Sequence, residues 1–192
     1  MQAESIGTAK EHDLVINEGA IYLGDFSNIT PSEEFITGLA SKLLGVFQDK
    51  MTISAKPKIR QIKNAAMLEK GWQTVDKWEA KITGNLLDFN SRFLEASLFK
   101  KVTESETTKY VATMGLIDST QYKDALIVGY KIDDTPVIVY VRDILNTEGL
   151  AFDLKGQDEA GLKLSLENAY AGRKTNPVEV YGTFKEMAKA QL

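Results

Sequence analysis

The sequence has no cysteine and a single histidine, His12. Without cysteine there is no disulfide framework, no thiolate nucleophile and no sulfur-ligated metal centre. A Ser-His-Asp arrangement would have to recruit His12, which sits in a polar N-terminal stretch of the kind that is usually mobile. His12 is therefore read as an exposed residue without special chemistry, and no catalytic residue, metal or cofactor is assigned. No segment approaches the ~18 consecutive apolar residues of a membrane helix. The opening MQAESIGTAKEHDLV lacks the basic and apolar pattern of a signal peptide, so the expectation is a soluble protein made in the cytosol, with no membrane partner. No internal repeat, heptad run or low-complexity tract is present, and GLASKLLG lacks the GK[ST] ending of a phosphate-binding loop.

What is present is ordinary globular composition, with 192 residues, 43% hydrophobic and 26% charged. That length suits one domain. The expected organisation is an N-terminal arm over 1–13, one domain over 14–185 and a C-terminal arm over 186–192. A net charge of −4 argues against a protein that grips nucleic acid by neutralising phosphates. It is compatible with one that lets nucleic acid pass without specific binding.

The chain is organised around WQTVDKWEAKITGNLLDFNSRFLEASLFKKV, from Trp72 to Val102. Trp78, Ala80, Ile82, Gly84 and Leu86 alternate with Lys77, Glu79, Lys81, Thr83 and Asn85, which predicts a long strand with one buried face. After Asp88 and Asn90, either able to cap a helix, Leu94, Leu98 and Val102 recur every four residues, and Lys100 and Lys101 suit a last helical turn. The expectation is one flanking helix through Val102. Earlier, Leu14 to Ile16 and Ala20 to Leu23 read as a first strand pair or one kinked strand. Thr30, Pro31 and Glu33 have capping-box spacing and predict a short helix from Pro31 to about Ala40.

Residues 51 to 62 alternate too, with Met51, Ile53, Ala55, Pro57 and Ile59 opposite Lys56, Lys58 and Arg60. Pro57 lacks a ladder donor and places this strand at an edge or on an extended hairpin arm. The basic stripe fits three roles: a solvated edge that discourages unwanted pairing, a contact with acidic residues of another copy, or a phosphate contact. Trp72 and Trp78 read as core or interface anchors, with a stacking platform for sugars or bases as the alternative.

The C-terminal half reads as short strands at Tyr110–Ile117, Ala125–Ile132, Val137–Arg142, Leu150–Leu154, Leu162–Ala169 and Val178–Phe184, separated by turn-forming segments. Asp133 and Asp134 fit such a turn better than a carboxylate pair. ALIVGY and PVIVYV are apolar on both faces and must be covered on both, by a second sheet and by something else, a neighbouring subunit among the candidates. Val137, Val139 and Val141 are therefore candidate contacts between subunits, with Lys56, Lys58, Arg60 and Trp72.

SAKPKIRQIKN, a short connection, GWQTVDKWEAKITGNLLDFN and a following helix resemble the tail tube (major tail) proteins of long-tailed bacteriophages. GLKLSLENAYAG followed by NPVEVYGTF resembles the end of the same family, and the similarity spans roughly residues 14 to 185. It implies an antiparallel two-sheet β sandwich with a flanking helix, whose strands join a β-barrel between subunits. It further implies homo-hexameric rings stacked into the hollow tube through which DNA is ejected. The arm bearing Lys56, Lys58 and Arg60 would reach the next ring, and tape measure, terminator and baseplate proteins would be partners in the virion. A tail terminator, a baseplate hub or a type VI-like tube protein is the alternative from the same lineage.

Overall fold

The computed structural model describes residues 18–62, 71–104, 107–152, 161–169 and 176–184. The expected arms at 1–13 and 186–192, His12 and Leu14 to Ile16 lie outside them. In chain order the elements are β1 (Glu18–Gly24), α1 (Glu33–Gly38), β2 (Leu43–Gln61), β3 (Gln73–Leu86), α2 (Ser91–Ala96), β4 (Phe99–Glu104) and β5 (Thr107–Ala112), then β6 (Lys123–Tyr130), β7 (Pro136–Asn146), β8 (Ala151–Phe152), β9 (Leu162–Asn168) and β10 (Val178–Tyr181). Among the described residues the fold is mainly β, with two short α-helices, one in the Pro31–Ala40 stretch and one after Asn90, the two places where helices were expected.

The large sheet runs β10-β7-β6-β1-β2-β3-β9-β8, and β4 pairs with β5 apart from it. All these pairings are antiparallel. The sheet also curls until β7 meets β9, through Ile144–Asn168, Leu145–Glu167 and Asn146–Leu166. An irregularity in β7 makes this possible. The β6–β7 register shifts between Lys123 and Ala125, and Asp143 takes a left-handed φ of 50°. A bulge bends its strand, so β7 leaves β6 and β10 and continues beside β9. Asp143 N–H donates to Asp124 Oδ1 at 3.0 Å, while its carbonyl accepts from Ala169 N–H at 2.7 Å.

Inside the curl lies the main core, in which Ile21, Leu44, Ile82, Leu86, Phe93 and Leu166 are fully buried. The alternation read along β3 holds here, for Ala80, Ile82 and Leu86 are buried and Lys81 and Asn85 exposed. A second cluster covers the outer face of β6 and β7, where Leu126, Val128, Ile138 and Leu39 pack beneath Phe26, Ile29, Phe35 and Ile36. This covering, for which a neighbouring subunit was one candidate, comes from α1 and the segment before it. Val137 and Val141 are buried, and Val139 packs partly buried against the main core. These three valines therefore face the chain's own interior.

Both helices depart from expectation for local reasons. Ser32, not Thr30, caps α1, its Oγ accepting from Phe35 N–H at 3.3 Å. Thr30 spends its hydroxyl on the Asn28 carbonyl at 3.2 Å. Asn90 caps α2 as predicted, accepting from Phe93 N–H at 3.0 Å, whereas Asp88 accepts from Val46 N–H at 3.3 Å. The helix stops at Ala96 because Leu98 adopts a left-handed φ of 63°. Lys100, Lys101 and Val102 then pair with Val111, Tyr110 and Lys109 in the β4–β5 hairpin rather than finishing a helix.

Asn146, 2% exposed, links these parts. Its Nδ2 donates to Ser97 Oγ at 2.7 Å and Gly149 O at 2.8 Å. Its Oδ1 accepts from Ser165 N–H at 3.2 Å and Glu148 N–H at 3.3 Å. Asn146→Leu strands several buried partners and should cost about 2–4 kcal/mol in urea unfolding. A loss under about 1 kcal/mol would show that water replaces the amide there.

Candidate functional site

The hydrogen-bonded ladder between β2 and β3 outruns everything around it. It extends from Phe47–Leu86 to Gln61–Gln73. On the outer side of β2, β1 reaches only the segment from Leu43 to Val46. On the outer side of β3, β9 reaches only Lys81 to Leu86. Beyond Ala55 and Ala80 the two strands pair only with each other among the described residues. Apart from the Asn168 side chain, whose Oδ1 accepts from Ala80 N–H at 2.7 Å and whose Nδ2 donates to Trp78 O at 3.4 Å, neither edge has a described strand beside it. Pro57 falls in this part, as its missing donor requires.

The ribbon has two unlike faces. One continues the core stripe outward, with Pro57 opposite Trp78 and Ile59 opposite Val75. No core covers it there. Ile59 is 58% exposed, Val75 50% and Trp78 41%, and Ile62 and Trp72 at the outer end are 41% and 43% exposed. Trp78, read as buried from its alternation with Ala80 and Ile82, lies on the expected face but beyond the end of the core. Trp72 marks the same end, its carbonyl accepting from Ile62 N–H at 3.0 Å.

The other face brings Lys56, Lys58 and Arg60 together, as the spacing predicts, and supplies acids from the same chain. Glu79 bridges two lysines that stand directly opposite each other, Lys77 at 2.9 Å and Lys58 at 3.2 Å. Hydrogen bonds from Lys77 and then Lys58 hold its carboxyl below the usual carboxylate range. The ladder register shifts between Lys58 and Ile59 and passes over Asp76. Asp76 accepts from Arg60 Nε at 2.8 Å, and this bond raises the Arg60 pKa. Lys81 pairs with Glu167 at 2.7 Å. Lys56 has no ion-pair partner among the described residues. Arg60 is neutralised within the chain, but Lys58 and Lys77 share one carboxylate and Lys56 has none among the described residues, so this face keeps positive charge while the other carries the exposed apolar surface.

Elsewhere, Tyr140 O–H donates to Asp124, Arg142 lies 4.8 Å from the Tyr140 ring centre, and Arg142 Nη2 meets Glu179 Oε1 at 2.9 Å. Tyr181 O–H also donates to Glu179, and the cluster ties β10 to β7. Asp133 and Asp134 form the predicted turn, Asp133 Oδ1 accepting from Thr135 N–H at 3.1 Å. No group of three or more His, Asp or Glu among the described residues is placed to hold a metal ion. No helix of the described residues is long and apolar enough to cross a membrane.

Sequence reading missed one exposed element. The strand expected over Tyr110–Ile117 ends at Ala112, and the loop beyond it presents Met114 and Leu116, 91% and 99% exposed. The signal was Gly115 between them, which takes a positive φ of 92° that no strand residue adopts. No protein-family model matches the chain, and no curated protein matches it.

The depressed Glu79 pKa sets the pH behaviour of the ribbon. A carboxylate whose pKa is lowered on folding stabilises fully above the ordinary carboxylate range, and that contribution disappears as pH falls through the lowered value. Amide protection at Lys77 and Glu79, measured against the intrinsic exchange rate at each pH, should therefore fall below the usual carboxylate range in the native protein. Glu79→Gln should flatten that dependence, and an unchanged pH profile would show that the carboxylate does not hold the strands together.

Proposed function

We propose that this protein is a structural subunit that assembles with copies of itself into rings, which stack into a hollow tube of the phage tail type. Its fold in this reading is the β sandwich of that class, made by the two halves of the curled sheet, with strands joining a barrel between subunits. The observation that carries the proposal is the ribbon of β2 and β3, which projects from the body with its outer edges unpaired by any described strand and with an apolar face that stands exposed among the described residues. Side chains such as Ile59, Val75 and Trp78, 41% to 58% exposed, mark an interaction surface when they occur together on one face. The segments that resemble the tail tube family include the two strands of this ribbon and the turn into α2, together with the stretches of β9 and β10 near the end of the chain. The cysteine-free sequence with one histidine is in keeping with a building block.

In this reading the ribbon reaches a neighbouring copy through its apolar face, while the paired charges on its back fix its twist and keep the open edges from indiscriminate pairing. The location would be the virion tail, assembled in the host cytoplasm, with DNA passing through without specific contact. Tape measure, terminator and baseplate proteins would be the further partners.

Negative-stain microscopy and light scattering of concentrated protein should reveal rings or tubes, and a strict monomer under the same conditions overturns the reading. Rings that never stack would favour a terminator or hub. Ile59→Asp with Val75→Asp should abolish assembly. Trp78→Ala should weaken assembly while changing monomer stability by no more than about 1 kcal/mol, because the ring is half exposed rather than core. A loss of about 3 kcal/mol or more from Trp78→Ala would place that ring in the monomer's core.

A further inference from the structure

The uncovered ribbon face is small for an interface. With aromatic side chains contributing ~150–250 Å² each, its exposed parts amount to a few hundred Å², below the ~800 Å² per partner of a typical stable contact. A second contact area is required if copies of this chain associate stably.

We infer that the loop of residues 113–118 is a plug that one copy inserts into the groove between β1 and α1 of the next copy. The inference rests on the assembly reading and identifies the surfaces it would use. Met114 and Leu116 are 91% and 99% exposed, yet their loop is fastened at both ends. Thr113 N–H donates to Leu98 O at 2.9 Å, and Gln121 Nε2 donates to Thr113 Oγ1 at 3.4 Å. Asp118 N–H donates to Gln121 Oε1 at 3.1 Å, and Asp118 Oδ1 accepts from Thr120 N–H at 2.8 Å. Such a loop displays its two large apolar side chains and lowers the entropy of ordering them against a partner.

The groove is apolar, about 180 Å³ in volume, and lined by Ala20, Tyr22, Ile36, Val46, Val128 and Tyr130. Val46 is 41% exposed within it, and burial raises the pKa of the Tyr22 phenol above its ordinary value. The groove's own lining is uncharged, and the charges flanking the two surfaces differ in sign. Arg92, Lys100, Lys101 and Lys123 surround the concavity behind the plug, against Glu95 and Asp118. The helix beside the groove begins with Glu33 and Glu34 and has no basic residue in its last turn.

One copy cannot make this contact with itself. Leu23 lines the concavity behind the plug and Tyr22 the groove, and adjacent strand residues point to opposite faces of the sheet. A plug on one side and a socket on the other make a head-to-tail contact. Repeated, such a contact closes a ring or continues as a filament.

The absence of cysteine makes a clean test possible. Leu116→Cys and Val46→Cys proteins, both altered at exposed positions, are mixed under mild oxidation. A disulfide-linked dimer should form in the mixture and in neither protein alone. A self-dimer of Leu116→Cys, or no cross-link while the proteins still assemble, overturns the plug and socket. Met114→Asp with Leu116→Asp should weaken association about tenfold or more with an unchanged far-UV spectrum and melting point. Full assembly of that double variant removes the plug but leaves the assembly reading standing. A native chain that stays monomeric removes both.

Discussion

The molecule depends on one mismatch of length, a β2–β3 ladder longer than the sheet that surrounds it. Its inner half, around Ile82 and Leu86, is anchored in the core with β9 on its flank. Its outer half is a bare two-stranded ribbon, an arrangement that is marginal in water by itself. What holds it is local. Glu79 ties together Lys58 and Lys77, which would otherwise repel across the ladder, and Asp76 is gripped by Arg60 where the register slips. The bulge adds twist, and Pro57 withholds one donor from an open edge. These devices resist edge-to-edge aggregation while leaving the opposite, apolar face uncovered.

Coverage elsewhere is internal, which sharpens the meaning of that face. β6 and β7 are apolar on both sides, and a chain with no other resource would have to bury the outer side against a neighbour. Here Leu39, Phe35 and Ile36 fold back over Leu126, Val128 and Ile138. The wall of the body is therefore finished within one chain. The exposed apolar groups that remain include those on the ribbon, in the 113–118 loop and in the small groove beside α1, three places that project or recede from the body.

Alternation along the sequence shows which residues share a face, and for Ala80, Ile82, Leu86, Leu164 and Leu166 that face is buried. It does not show where the core ends. Trp78 continues the same period and is 41% exposed because β9 stops at Lys81, a limit set by strands far along the chain. The four-residue spacing of Leu94, Leu98 and Val102 misled for a related reason. Periodicity cannot register that Leu98 turns left-handed and that Val102 pairs with Lys109. Gly84 belongs to the apolar stripe without a side chain of its own. It is the place where the Phe47 ring lies across β3, close enough that a Cβ would stand 2.5 Å from it. The basic stripe was legible as a stripe, but its partial neutralisation was not, since Glu79 and Asp76 come from the facing strand.

Internal pairing of the charges changes what they contribute to any contact. A free basic stripe would attract an acidic partner and lose that attraction in salt. A stripe bridged by Glu79 and Asp76 keeps only the positive charge that Lys56 and the shared Glu79 leave over, and its bridges also act on the ribbon's shape, fixing the spacing and twist of two strands that there pair only with each other. At the ribbon the larger part of the binding free energy then comes from covering Ile59, Val75 and Trp78. That term is short-ranged and rewards fit. A ribbon stiffened on its charged face and left apolar on the other has the division of labour such a contact requires: the ion pairs reduce the entropy lost on docking, and the apolar side chains provide the adhesion.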